Sequence, residues 1–440
     1  MLYRNLCLFL GYLTFFNLKN LLQACLIGLL FLTGCSTTSD VNKPYYKPFS
    51  SPVPGQVFIP SGTFSLGSSA EPDVLEQFSQ SKKISVAAFF IDQTEVSNDD
   101  YREFINWVRD SIAITNFLEK KDQYMVKKKP SDPAGTLEQI NWRIVGNGRT
   151  IWGKASRKRN PRLDEMFYKQ DHLFNKKGDL DTRILKYSFG IFDYEEAFRN
   201  RNNLAKTQSD YTYRDTINVY PDTTVWIKDF ANLANDQMLK SYFSDPAFGK
   251  YPVVGITWKQ AKAYTIWKTN MLNNKTRGLS TTRKTVTVRL PSEAEWEYAS
   301  RGGEDGMNYP WGNALHGEKD CLMANFKVAP GNYVADGGLF TKPVRAYKAN
   351  KYGVYNTAGN VAEWTENLYT SSPQGITGDL NPRLLGVNDN ARRVVKGGSW
   401  RDAAYFIRSA SRTFEHQDTA RSYIGFRTVM SAPVEQSIKK

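Results

Sequence analysis

From about residue 300 onward the chain shows no sustained helical or alternating period. It is rich in glycine, asparagine and aromatic residues, as in YPWGN (309–313), NTAGNVAEWTEN (356–367) and KGGSW (396–400). Such a segment implies irregular loops packed by large rings and hydrogen bonds, not long helices. Long helices must therefore be sought upstream.

Several are legible there. Residues 57–67, VFIPSGTFSLG, read as a strand, a tight turn at Ser61-Gly62 and a second strand, because apolar and β-branched residues flank a pair suited to unusual backbone angles. ISVAAFFI (84–91) reads as a further strand. Ser97 is placed to cap a helix whose first turn holds Asp99 and Asp100 and whose one face carries Tyr101, Phe104, Ile105, Val108 and Ile112. A second helix starts at Thr257, with Ala261, Tyr264, Trp267 and Met271 on one side. A third follows Pro291, where Ser292 and Glu295 form a Ser-x-x-Glu capping box.

Residues 1–34 are expected to be a signal peptide and not part of the fold. The apolar run 21–32 ends in LTGC, which resembles a bacterial lipobox and makes Cys35 the lipidation site and new N-terminus. A membrane helix is the alternative reading, but a membrane span needs no small-residue exit. Residues 35–56, rich in Ser and Pro, read as a lipidated tether. Of four cysteines, only Cys321 then remains in the soluble part, so no intramolecular disulfide is possible there. Cys321 is expected to be a buried small hydrophobe, not a reactive thiol.

The formal charge is +14, and removing Arg4 and Lys19 leaves +12. Residues 119–206 hold 20 Lys/Arg against 12 Asp/Glu, so most of the excess sits in one segment. In an envelope protein this points to lipid headgroups, an acidic protein or glycan and not to nucleic acid, or else to a solvated surface. From about 113 to 250 clean periodicity is scarce, yet Tyr and Trp are frequent and TYRDTINVY (212–220) reads as a strand. A partly ordered element with basic loops is expected.

Eight stretches, taken in order, resemble the formylglycine-generating enzyme family, whose domains are also called sulfatase-modifying factors. They are FIPSGTFSLGS (58–68), IDQTEVSNDDYREFINW (91–107), YPVVGITWKQAKAYTIW (251–267), RLPSEAEWEYASRGG (289–303), YPWGN, NTAGNVAEWTEN, KGGSW and GFR (425–427). The resemblance implies an α+β fold related to C-type lectins, loop-rich and poor in regular structure. The domain would span 57–430, interrupted by a basic insertion at 113–250 and followed by a tail at 431–440. The lipobox, the helix NWVRDSIA (106–113) and the long insertion together resemble the gliding-motility and type IX secretion lipoproteins of Bacteroidota. That likeness implies a periplasm-facing outer-membrane lipoprotein, a homo-oligomer within a ring that includes the periplasmic type IX secretion subunit N.

Members of the family that make formylglycine hold copper(I) on two cysteine thiolates near the C-terminus, and soft thiolates suit that ion. This chain has no cysteine after Cys321, and KGGSWRDAAYFIRSASR (396–412) offers Asp402, Ala403, Ala404 and Ile407 instead. No copper and no formylglycine chemistry are expected. His172, His316 and His416 lack metal-ligand spacing, no G-x-S-x-G elbow or phosphate loop is present, and Ser399 reads as a turn residue.

The family's calcium would persist as a structural ion. The resemblance places one site at Asn325 and Asp336, with carbonyls near Phe326 and Gly338, and a second at Asn360 and Glu363, with carbonyls near Gly359 and Val361. Oxygen donors suit a hard cation. For Asn360 the competing role is a backbone-capping amide in a glycine turn, and for Glu363 an exposed or Arg-paired carboxylate. Arg408, Arg412 and Arg427 with Glu295 and Glu297 are expected either as buried ion pairs or on the surface. Two functions follow: a non-catalytic assembly component of the secretion machinery, or a lectin-like lipoprotein that grips peptidoglycan or glycan by stacking sugars on Trp311, Trp364 and Trp400.

Overall fold

The computed structural model describes residues 51–432 apart from 52, 69–80, 127–138, 147–150, 173–174, 230–237, 239–240, 277–285, 318–320, 372–377 and 387–390. The leader, Cys35 and most of the tether lie outside the described residues, as do 433–440. Among the described residues no helix is long and apolar enough to cross a membrane.

The fold is mixed α+β with little regular structure, as expected. Strands β1 (Gln56–Ile59) and β2 (Gly62–Leu66) form where the sequence places them, but they are not a hairpin. β1 pairs with β4 (Phe89–Asp92) and β2 with β3 (Lys82–Val86), so Ser61-Gly62 is a corner between two sheets. A Cβ on Gly62 would lie 2.1 Å from the Tyr298 hydroxyl, so glycine is needed there for close approach. The single strand read over 84–91 is broken at Ala87-Ala88, because its two halves serve different sheets.

Two four-stranded sheets frame the molecule. In the first, β1 and β4 are joined by β12 (Val429–Ser431) and β7 (Val288–Arg289), all antiparallel. The second runs β10 (Arg412–His416), β9 (Arg392–Lys396), β8 (Ala362–Leu368), β11 (Ile424–Gly425), with β11 parallel to β8.

Helix α1 (Asn98–Ile112) is capped by Ser97 and Asp100 in a reciprocal box, and it buries Tyr101, Phe104, Ile105 and Val108. A wider helical turn, Ala113–Phe117, extends it. The basic segment then contributes a hairpin of β5 (Lys186–Phe192) and β6 (Thr212–Asn218), bridged by a short helix α2 (Tyr194–Arg199). Leu185, Phe189, Val219 and Phe243 from this segment join Tyr101, Phe104, Tyr264, Trp267 and Trp364 in the largest apolar cluster. The segment therefore packs into the main core, and it also builds a smaller core around Ile114, Tyr124, Leu163 and Met166. Helix α3 (Trp258–Thr276) buries Ala261, Tyr264 and Trp267 on the expected side. Helix α4 (Glu293–Ser300) is buried along its whole length.

Candidate functional site

Helix α4 puts three glutamates inside the protein, and each has a cation. The capping box is present: Glu295 donates its N–H to Ser292 Oγ and accepts the Ser292 N–H. Glu293 pairs with Arg412 at 2.7 Å, Glu295 with Arg289 at 2.6 and 2.7 Å, and Glu297 with both Arg301 at 2.7 Å and Lys396 at 2.9 Å. Of the two placements left open for Glu295 and Glu297, the buried one is found, with partners other than Arg408, Arg412 and Arg427. Arg412 reaches Glu293, and Arg427 reaches Glu363.

Beneath the helix lies a fully buried cluster. Arg427 grips Glu363 in a two-toothed ion pair of 2.6 and 2.7 Å, and Trp296 Nε1 donates to the same carboxylate at 2.6 Å. Beside it stands Glu95, 0% exposed, which sequence reasoning did not single out. Asn360 Nδ2 donates to one of its oxygens at 2.8 Å and Asn356 Nδ2 to the other at 3.2 Å. Burial pushes the Glu95 carboxyl up to about 8, with Arg427 opposing and the Glu363 charge adding to the rise. The turn that presents these amides needs unusual backbone: Asn356 and Asn360 have φ of 50° and 63°, which asparagine tolerates better than most residues. Gly359 has φ +73°, and a Cβ there would meet the Asn325 carbonyl oxygen at 2.2 Å. The available signals were a glutamate wedged between an apolar strand and the Ser97 cap, and a second asparagine four residues before Asn360.

The four residues expected to hold cations fall in two adjoining places, linked by a 3.2 Å bond from Asn325 Nδ2 to Asn360 Oδ1. Asn360 is saturated, since its Oδ1 also accepts the Lys342 N–H. Glu363 is held by Arg427. The fit to a hard cation improves with Glu95 and Asn356: Asn356 Oδ1 is buried and accepts no hydrogen bond, and Glu95 is a buried carboxylate beside it. At the other place Asp336 accepts the N–H groups of Phe326 and Gly338 at 2.7 and 2.9 Å. Its backbone oxygen accepts from the Lys342 ammonium at 3.0 Å. The Lys342 ammonium is thus held on the Asp336 backbone oxygen and not on its carboxylate, whose two oxygens take the N–H groups. Among the described residues no three His, Cys, Asp or Glu gather as a metal-binding group.

The segment where thiols would be needed is filled otherwise. Ile407 is 0% exposed and packs with Tyr309, Phe326 and Ala358. Asp402 accepts from Ser399 Oγ at 2.6 Å in a tight turn, and burial raises its carboxyl despite that bond. Ser399 thus serves the turn, as expected. Trp364 and Trp400 are core residues: the first donates to the Ile256 carbonyl and the second packs edge-on to Phe340. Neither can stack on a sugar. Trp311 lies flat on Tyr309 at 5.4 Å and is only half-buried. Cys321, read as a buried hydrophobe, is exposed, because the loop carrying it runs along the surface.

Comparison with known proteins places this arrangement. The sequence profile described as "Sulfatase-modifying factor enzyme 1-like domain" matches residues 43–432. The chain is 33% identical over 187 residues to the formylglycine-generating enzyme of Streptomyces coelicolor, covering 41% of this chain and 53% of that one. It is 35% identical to the enzyme of Mus musculus, covering 40% and 43%. It is 32% identical to "Inactive C-alpha-formylglycine-generating enzyme 2" of Bos taurus, covering 42% and 51%. The matched part thus spans about half the length of these curated relatives. Among solved structures, PvdO from Pseudomonas aeruginosa aligns with 88% of this chain and all of its own at a TM-score of 0.47 and 15% identity.

Proposed function

Because the chain belongs to the sulfatase-modifying factor family, which includes inactive members, we propose that it keeps the family framework without the oxidation chemistry. It serves as an assembly component of the type IX secretion and gliding-motility machinery, held to the outer membrane by lipid on Cys35 and facing the periplasm. The observation that supports the loss of oxidation chemistry is the filling of the 396–412 segment. Ile407 occupies the interior there, Asp402 is tied into a turn, and no cysteine follows Cys321. Copper(I) has no soft ligand pair to hold it.

The basic segment supports the assembly half of the reading. It leaves Tyr194, Phe198 and Leu204 at 72%, 66% and 96% exposed around the tip of the β5–β6 hairpin. Exposed large apolar side chains close together mark contact surfaces. The partner would be the periplasmic subunit N together with further copies of this chain in a ring. A structural calcium ion would be held by Glu95 and Asn356, beside the Arg427-paired Glu363, where it would supply the positive charge that a second buried carboxylate lacks.

The test is purification of the native protein from detergent-extracted outer membranes, with mass spectrometry of the chain and its companions. The expected result is a triacylated Cys35 and a large particle containing subunit N. Recovery of an unlipidated single chain, or aldehyde formation on a cysteine peptide under air by the purified protein, would overturn the reading. The lectin-like alternative retains Trp311 alone as an accessible ring, and a Trp311→Ala change that abolished retention on peptidoglycan would favour it.

A further inference from the structure

A cavity of about 490 Å³ lies where the β5–β6 hairpin meets α3 and the free edge of β7, away from the 396–412 segment. Its size is that of a small-molecule site. Trp258, Lys262, Ile266 and Thr269 of α3 line one side at helical spacing, and Ile191 and Phe192 of β5 close the other. Arg289, Glu366, Arg383 and Arg393 line it as well. The walls are thus largely apolar, with charges gathered at one end.

Those charges do not balance. Lys262 is paired with Glu366, and Arg289 with Glu295. Arg383 shares the same two carboxylates more loosely, donating to Glu295 at 3.5 Å and standing 3.8 Å from Glu366, each of which is held more closely by another cation. Arg393 is 2% exposed and has only neutral acceptors, Gln417 Oε1 at 3.1 Å, the Gly386 carbonyl at 2.7 Å and the Glu366 carbonyl at 3.3 Å. Its guanidinium lies over the Trp258 ring at 3.8 Å, and burial pulls it down to about 10. Asp193, at the rim, uses its carboxylate on the Glu196 N–H at the start of α2. Four cationic heads therefore face the carboxylates of Glu295, Glu366 and, at the rim, Asp193, and the remaining positive charge, held largely among buried groups, is unfavourable without a counter-ion.

We propose that this cavity binds a small organic anion, a carboxylate or phosphate head on an apolar body. The head meets Arg383 beside Lys262 and Arg393, and the body lies between Ile266, Trp258 and the β5 wall. Arg383, 29% exposed at its side chain, supplies the guanidinium donors that no carboxylate now takes closely. The site does not depend on the assembly reading: of its lining residues only Tyr194 also lies at the exposed hairpin tip, none belongs to the cation cluster, and the argument for the ligand uses neither.

Calorimetric titration of the full chain with sodium hexanoate, hexyl phosphate, 1-hexanol and acetate tests it. One of the first two is expected to bind with a dissociation constant of about 1 mM or tighter, and whichever binds tighter identifies the head. Hexanol and acetate, each lacking one half of the ligand, are expected to bind at least tenfold more weakly. Arg383→Gln should weaken the anion about tenfold or more, the effect of losing a charge-assisted hydrogen bond. Ile266→Trp should block the cavity without changing its charge, with circular dichroism confirming the fold of both variants. Absence of binding by both anions, or binding that Arg383→Gln leaves unchanged, would overturn the proposal.

Discussion

The interior under α4 and the basic segment of residues 113–250 use the same chemistry, Arg or Lys on Asp or Glu, to opposite ends. Under α4, Glu297, Lys396 and Arg301 are 0–1% exposed at their side chains, and so are Glu363 and Arg427. In the basic segment, Arg183 and Asp181 are 69% and 15% exposed, and Arg157 and Asp164 are 42% and 60% exposed. An exposed pair is screened by water and is worth about 0–1 kcal/mol. A buried pair gives little net stability over an apolar core, but losing one partner strands a charge. The inner network therefore dictates which charged groups must meet in a loop-built fold, while the outer pairs leave the surface free to change.

The largest effect should come from breaking the inner pair. Arg427→Met leaves Glu363 without its cation and removes the charge that opposes the rise at Glu95. A loss of about 3–5 kcal/mol is expected in denaturant unfolding. Arg183→Met, in the basic segment, should shift the unfolding midpoint far less, because its pair with Asp181 is screened by water. Equal effects would erase the contrast between the two regions.

Acid should separate the regions next. Burial alone would raise Glu295, but Arg289 and then Arg383 hold it down from 4.5 to about 2. A carboxylate with a lowered folded value contributes stability that is complete above its unfolded value and is lost as pH falls through the folded one. Unfolding free energy should therefore drop between about pH 4.5 and pH 2, by roughly 3 kcal/mol from this group. Glu295→Gln should be less stable at neutral pH and show a flatter acid limb. A limb that keeps its slope in Glu295→Gln would move the acid sensitivity to other carboxylates.

How much of this could be read in advance follows the range of the interaction. The caps at Ser97 and Ser292 and the buried faces of α1 and α3 are set by neighbours within about four residues, and all were legible. The sheet partners of β1 and β2 lie about 16 to 36 residues away, beyond the reach of local pattern, so the Ser61-Gly62 corner read as a tight turn between successive strands. Partner choice among the arginines failed for the same reason. Glu363 and Asn360 were found through a resemblance, whereas Glu95 came to light only when the chain brought residue 95 beside residue 363. Cys321 misled because a thiol carries no local mark of which side of a loop it will take.

Removing a cation should sharpen the comparison further. If Glu95 and Asn356 hold calcium, the protein should unfold at a higher temperature in millimolar calcium than in chelator. At a hundredfold excess over the dissociation constant the gain is about 2.7 kcal/mol. Glu95→Gln, which keeps the hydrogen-bonding shape but not the charge, should abolish the difference. Identical unfolding in calcium and chelator would instead make Glu95 a neutral, protonated member of a hydrogen-bond network.

The smallest effect on stability should come from the hairpin tip, where the largest effect on assembly is expected. Tyr194, Phe198 and Leu204 are already in solvent, so replacing Phe198 and Leu204 by serine removes almost no buried area. Unfolding should shift by no more than about 0.5 kcal/mol. If these side chains are contact residues, the same double variant should lose the large particle and leave a lipidated single chain in the detergent extract. The ion pairs of the inner network would be untouched, so a folded, anchored and unassembled protein is the outcome that separates the two regions. A particle of unchanged size would move the contact surface off the hairpin tip, and a double variant that unfolds would show that the tip belongs to the core after all.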